Sequence, residues 1–206
     1  MQIIRLGVAA AVASVVLAGA GTAAVVAAPA HGNTNARTAA APAAAPNRLR
    51  DGGFELPRVA PNTFREFAAG QSFGPWRVLS GSVDLIGAGF WQAAQGAQSL
   101  DLNGNNAGAV SQTFATVPGK SYMVTYALAG NTDCAPVVKT GKVLIDGQDF
   151  QDFTFDTTGK SRTNMGYVYR QVPFAAVGRS TTLAFASTTL GSACGPVVDR
   201  VLVTRS

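Results

Sequence analysis

An all-β, antiparallel β-sandwich is the fold class this sequence predicts, and three observations predict it. Apolar or alternating runs recur from Asn47 onward, Gly, Asn, Asp and Pro break them at regular intervals, and helical periodicity is absent. The composition agrees. With 47% hydrophobic, 13% charged, 23 Gly and 10 Pro in 206 residues, the chain fits one folded unit, or one unit with a tail, and not a highly charged disordered polymer. Three Met, 11 Phe, four Tyr and two Trp leave most of the core to Val, Leu, Phe and Ala. Abundant Gly, Thr and Ser favour short strands and turns over a helical bundle.

The amino terminus reads as an export signal. Met1 and a single early charge at Arg5 precede an uncharged run from Leu6 to Ala30, and small residues stand at its end. Ala28-Pro29-Ala30 satisfies the small-x-small rule for cleavage, as does the earlier Ala18-Gly19-Ala20. The run is long enough to cross a bilayer, so an uncleaved anchor is the alternative. No cysteine precedes Cys134, so an amino-terminal lipidated cysteine is not expected. Residues 31–46, HGNTNARTAAAPAAAP, hold no bulky apolar side chain to offset the entropy of ordering and are expected to be a linker. The domain is therefore placed at 47–206. After the apolar run from Val197 to Val203 the sequence shows no sorting motif or second hydrophobic span, so secretion into the extracellular space is expected, without retention at a membrane.

Within the domain the expected strands are Asn47–Glu55, Trp76–Leu79, Val83–Ile86, Gln98–Leu102, Ala109–Val117, Ser121–Ala129, Lys139–Asp146, Gln148–Phe155, Gly166–Phe174, Thr181–Ser187 and Val197–Thr204. Asp146-Gly147 between two such runs signals a hairpin, because glycine accepts positive φ, and Pro118-Gly119 signals a second turn. Alternation puts Tyr122, Val124, Tyr126 and Leu128 on one face, expected to be core. No solenoid repeat or heptad is present.

Two cysteines, Cys134 and Cys194, lie in Gly- and Pro-containing loops of a chain expected to be exported, which favours one disulfide over free thiols or an intermolecular bridge. Closing that loop constrains the unfolded chain by about 4 kcal/mol in the chain-entropy account.

Several function classes are set aside by composition. The one histidine, His31, lies in the linker, so no histidine base or ligand serves the domain. The net charge is +5 over the whole chain; without Arg5 and Arg37 the balance is 14 basic against 11 acidic residues, too weak for nucleic acid. Glu55, Glu66, Asp84, Asp101 and Asp156 are available for glycoside hydrolysis, yet no spacing marks a pair, and an enzyme is not expected. In Asp101-Leu102-Asn103-Gly104-Asn105-Asn106 the oxygens alternate as in an EF-hand, but Asn106 and Gln112 stand where Gly and Glu belong, so a polar turn is expected.

The stretches DGGFELP (51–57), GPWRVLSGSVDLIGAGFWQAAQGAQSLDLNG (74–104), AVSQTFATVPGKSYMVTYALAGN (109–131), QDFTFDTTGKSRTNMG (151–166) and CGPVVDRVLV (194–203) together resemble choice-of-anchor C proteins and the related domain of unknown function 642 group. The resemblance implies a galactose-binding-like jelly roll, similar in architecture to carbohydrate-binding modules, in exported or cell-surface proteins. Plant relatives are associated with cell walls. It also implies the Cys134–Cys194 pairing, through one Cys after the AGN strand end and one before GPVVD. Members often carry a carboxyl-terminal surface anchor that this sequence lacks, which favours release.

Strict alternation along the last strand puts Asp199 on one face with Val197, Val201 and Val203, and a buried carboxylate needs a partner. An ion pair with Arg48 or Arg50 is one solution. The other comes from the resemblance, since related jelly rolls hold a structural Ca²⁺ through a GFE glutamate and a late aspartate, here Glu55 and Asp199, and hard oxygens suit that ion. For a glycan, aromatics stack on pyranose faces while amides and charges meet hydroxyls. Phe90 and Trp91, after Gly87-Ala88-Gly89, are the expected platform, with Gln92, Asn103, Asn131 and Arg162 on the rim; Trp76, opening an apolar strand, is expected in the core. The expected function is a secreted, non-catalytic carbohydrate-binding domain for extracellular or cell-wall polysaccharide. The alternative is a structural or protein-binding wall component without sugar affinity, which predicts a flat apolar patch.

Overall fold

The computed structural model describes residues 46–206. The expected export signal, its cleavage sites and the linker up to residue 45 lie outside the described residues.

Twelve strands make up the regular structure: β1 (Phe64–Ala68), β2 (Ser72–Phe73), β3 (Trp76–Ser80), β4 (Ser82–Ile86), β5 (Ser99–Asp101), β6 (Ala109–Ala115), β7 (Ser121–Gly130), β8 (Val138–Ile145), β9 (Gln148–Asp156), β10 (Val168–Ala175), β11 (Ser180–Ser187) and β12 (Pro196–Arg205). The first sheet runs β1-β4-β5-β12-β7-β10 and the second β2-β3-β6-β11-β8-β9, with antiparallel pairing throughout. No helix occurs among the described residues.

Period-two alternation builds the core between the sheets. Tyr126 packs against Phe153 and Phe185 of the second sheet, at 6.0 and 5.0 Å between ring centroids, which makes the Tyr122-Val124-Tyr126-Leu128 face of β7 the inner one. In register with Leu128 run Val198, Leu100 and Leu85, a continuous apolar row across four strands, every member fully buried. Trp76 lies in this core too, its indole N–H donating to the Asp51 carbonyl at 2.9 Å. Both expected turns form, with positive φ at Gly119 and Gly147.

Ten of the expected strands appear with shifted ends, and one does not. Asn47–Glu55 runs beside β12 without joining the ladder. Asn47 supplies side-chain bonds in its place, donating to Val201 O at 3.1 Å and accepting from Val203 N at 2.7 Å. Left-handed backbone at Asp51 (φ 50°) and Phe54 (φ 57°) then turns the segment inward. Gly52 lies against the Val201 carbonyl so closely that a Cβ there would stand 1.9 Å from the oxygen. Conversely, β1 and β2 are strands the sequence did not announce: β1 buries one side chain, Phe67, and β2 has two residues.

The phase of β12 also departs from expectation. Asp199 pairs with Ala127, but Leu202 pairs with Thr125 and Val203 with Val124, so a bulge adds one residue between Asp199 and Leu202. The one extra residue reverses the alternation. Val203 faces the inner side with Val124, whereas Val197 and Asp199 face outward with Ala127 and Ala129; Asp199 does not share a face with Val203.

Candidate functional site

The outer face of the first sheet is where the expected site residues meet, because the segment between β4 and β5 folds across it. Two carboxylates hold that segment down. Glu55 accepts the amides of Ala97 (2.8 Å) and Gln98 (3.1 Å) on Oε1; Asp199 accepts those of Ala94 (2.7 Å) and Gln95 (2.9 Å) on Oδ2, and that of Arg200 (2.5 Å) on Oδ1. Burial pushes the Asp199 carboxyl up to about 7 against these amides, and the charge of Glu55 adds to the rise. Its partners are therefore backbone amides, and the ion pair with Arg48 or Arg50 does not form.

The same oxygens decide how well the pair suits calcium. Two carboxylates contribute hard donors of the kind Ca²⁺ takes, but amides already occupy three of the four oxygens, leaving Glu55 Oε2 without one. Among the described residues no three His, Cys, Asp or Glu side chains converge on a metal-sized point. An ion at Glu55 and Asp199 fits only by sharing its oxygens with the loop amides and drawing further ligands from backbone carbonyls.

Trp91 is 5% exposed and its indole N–H donates to Ser99 Oγ at 2.8 Å, so it belongs to the layer packed on the outer face and offers no open ring to a ligand. Asn103 is also removed from any rim. It is fully buried, with Nδ2 donating to the carbonyls of Thr189 (2.8 Å) and Ser192 (2.7 Å). Asn131 is buried likewise, and its Nδ2 donates to Asp101 Oδ2 at 2.8 Å, while Asp101 Oδ1 accepts the amides of Asn103 and Gly195. These three side chains brace the end of the sandwich beside the disulfide, where Cys134 and Cys194 are joined with Cα atoms 5.8 Å apart. Asp101 ends β5, and the polar segment after it bends back on itself, bridged from Asn103 to Ala107.

Phe90, Gln92 and Arg162 do come together, although 70 positions separate Gln92 from Arg162 in sequence. The Gln92 amide donates to Arg162 O at 2.8 Å, and Gln92 Oε1 accepts the Met165 amide at 3.1 Å. Phe90 is half-buried, edge-on to Phe64 and Trp91. The Arg162 guanidinium lies 4.3 Å from its ring centroid and binds Asp133 through Nε (2.8 Å) and Nη2 (2.6 Å). That carboxylate raises the Arg162 pKa further. Gly89, Phe90, Trp91, Gln92, Arg162 and Thr163 line an open hollow of about 310 Å³. Asp133 escaped the sequence reading because nothing local ties it to an arginine 29 positions later.

Glu66, Asp84 and Asp101 form a second constellation that sequence did not announce. Strand register sets Asp84 opposite Glu66 on one side and Asp101 on the other. Burial pushes Asp84 up to about 7 and Asp101 to about 8. None of the three lines the hollow at Phe90.

Comparison with known proteins gives the following. The family model described as "Protein of unknown function (DUF642)" matches residues 47–204. Two Arabidopsis thaliana proteins are similar: Protein DUF642 L-GALACTONO-1,4-LACTONE-RESPONSIVE GENE 2, 26% identical over 75% of this chain and 45% of its own length, and Protein TEEBE, 28% identical over 77% and 46%. Halomucin of Haloquadratum walsbyi is 28% identical over 78% of this chain but only 2% of its own length. The chain thus spans less than half of each of these relatives. Among solved structures, TmCBM61 in complex with β-1,4-galactotriose superposes with a TM-score of 0.50 at 19% identity, covering 78% of this chain and 99% of that one. The likeness is one of fold, the jelly roll of carbohydrate-binding modules.

Proposed function

The chain belongs to the DUF642 family, whose function is unknown, and from that premise we propose that it is an exported, non-catalytic domain that binds an extracellular or cell-wall polysaccharide. The observation that carries this reading is the hollow at Phe90, Gln92 and Arg162 on a jelly-roll scaffold. It has an apolar floor, and around it stand the Gln92 side-chain amide, the Thr163 hydroxyl and the guanidinium of Arg162. Apolar surface and a few directional polar groups are what a pyranose ring needs. The disulfide supports export, since such bridges persist in oxidising compartments. The carboxylates of the Glu66–Asp84–Asp101 row are not on this hollow, which supports a binding role over hydrolysis.

A glycan array probed with the folded chain tests the reading, and neutral β-1,4-galactan is the first ligand to try because TmCBM61 was solved with a fragment of that kind. Phe90→Ala and Arg162→Ala should each weaken binding about tenfold, or roughly 1.4 kcal/mol, without lowering the melting temperature by more than a few degrees. If no glycan binds, the alternative of a structural wall component without sugar affinity replaces this one.

Calcium at Glu55 and Asp199 is proposed with its own measurement. An ion bound to the native state alone raises the melting temperature by mass action. A rise of several degrees in calcium over chelator, abolished by Glu55→Gln, supports the ion; coincident melting curves remove it.

A further inference from the structure

The loops that cover the outer face of the first sheet leave its other end bare. There, over β10, β7 and the bulge of β12, Thr125, Tyr169, Arg170, Gln171, Arg200 and Leu202 line a separate hollow of about 290 Å³. Tyr169 is 59% exposed, in contrast to the buried Trp91. The bulge determines what stands beside it. Arg200 has left-handed backbone (φ 48°), a conformation that costs energy for a residue with a Cβ, and Asp199 Oδ1 holds it there by accepting the Arg200 amide. So placed, the guanidinium lies 5.4 Å from the Tyr169 ring centroid, and Nη1 donates to the Tyr169 hydroxyl at 3.2 Å. Arg170 lines the same hollow. No acidic residue does, and among the described residues the ion pairs are Lys142–Asp149 and Arg162–Asp133, so neither arginine of the hollow has a carboxylate.

An exposed aromatic beside an uncompensated guanidinium group, with a primary amide and a hydroxyl within the same hollow, has the complement of a sugar ring that carries a carboxylate. The ring stacks on Tyr169, and the carboxylate meets the planar fork of Arg200. We propose that this hollow binds a uronic acid residue of an acidic polysaccharide. The proposal deepens the carbohydrate reading and rests on it, but it uses a different surface, so the two can fail separately.

The test is binding of the folded chain to polyglucuronate, to the same polymer after reduction of its carboxyl groups, and to dextran sulfate. The wild-type chain should bind polyglucuronate at least tenfold more tightly than the reduced polymer, and more weakly as salt rises. Tyr169→Ala and Arg200→Gln should each lose tenfold or more with an unchanged melting temperature, both side chains being exposed. Arg200→Lys keeps the charge without the fork and should lose most of the affinity too, while Phe90→Ala should bind polyglucuronate like wild type. Equal binding to the reduced polymer overturns the proposal. So does dextran sulfate binding as tight as polyglucuronate, which marks a general polyanion surface, or Tyr169 and Arg200 variants that bind like wild type. If neutral galactan binds through Phe90 and polyglucuronate does not bind, this proposal falls and the carbohydrate reading stands.

Discussion

The Asp84 side chain has an oxygen, Oδ1, that is buried without a hydrogen-bond partner, yet strand register fixes it between Glu66 and Asp101. Like charges directly opposite each other in a sheet destabilise it. Burial compounds the effect, so Asp84 and Asp199 rise to about 7 and Asp101 to about 8, all above the ordinary carboxylate value near 4. The direction of the pH dependence follows from linkage. Between about pH 4 and pH 8 the unfolded chain has released these protons and the folded chain retains them, so stability falls as pH rises through that window and levels off above it. The domain should therefore melt at a higher temperature at pH 5 than at pH 8. Asp84→Asn keeps the side-chain shape and removes a charge whose Oδ1 has no donor, so the variant should be more stable than wild type at pH 8 and should show a shallower slope. An Asp84→Asn curve parallel to wild type across the window would show that Asp84 does not titrate there.

At the scale of elements, the entry of the chain into the fold depends on one close approach. The left-handed turns at Asp51 and Phe54 bring Gly52 against the Val201 carbonyl, which also accepts a bond from Asn47, and the Gly52 carbonyl accepts the Val201 amide at 2.7 Å. Gly52→Ala would push a methyl into that oxygen and separate the entry segment from the β12 bulge. The expected cost is about 2 kcal/mol or more, in the range of overpacked interiors, read as a lower urea midpoint with an unchanged slope. This region also shows what was legible. Strands with strong alternation, such as β7, were readable because their side-chain period alone places them. Asn47–Glu55 has a similar apolar content, but a side-chain amide and positive φ values replaced the ladder, and those depend on β12 lying beside it. The bulge in β12 left no mark in VVDRVLV, because both phases put a valine inward. The site followed the same division. Phe90, Gln92 and Arg162 converge because loops carry them over the sheet, whereas Trp91 and Asn103 resemble rim residues in sequence and were drawn inward by Ser99, Thr189 and Ser192, partners that only the fold supplies.

At the scale of the whole domain, two loops that each cross from one sheet to the other are tied together at one end by a covalent bond and by a buried cation. The Cys134–Cys194 bridge joins the loop after β7 to the loop before β12, spanning 60 positions. Lys139 of β8, fully buried, donates Nζ to the carbonyls of both cysteines at 2.8 and 2.9 Å. Burial lowers its pKa, while Asp101 and Asp133 oppose that shift through space. Chain entropy alone assigns the bridge about 4 kcal/mol. The loss on removing it should approach that figure, because Lys139 and the Asn131–Asp101 bond still hold both loops in the folded state and the freedom is regained only by the unfolded chain. The double variant Cys134→Ala, Cys194→Ala should accordingly fold, with a lower denaturant midpoint and an unchanged β-sheet circular dichroism spectrum. Adding Lys139→Met to it removes a second tie between the loops and leaves the carbonyls of residues 134 and 194 without the lysine donor, a cost of the kind that follows when a buried acceptor loses its partner. The triple variant should therefore fall well below the double. If Lys139→Met costs no more in the disulfide-free protein than in the bridged one, the two ties act independently and the lysine does not substitute for the bond.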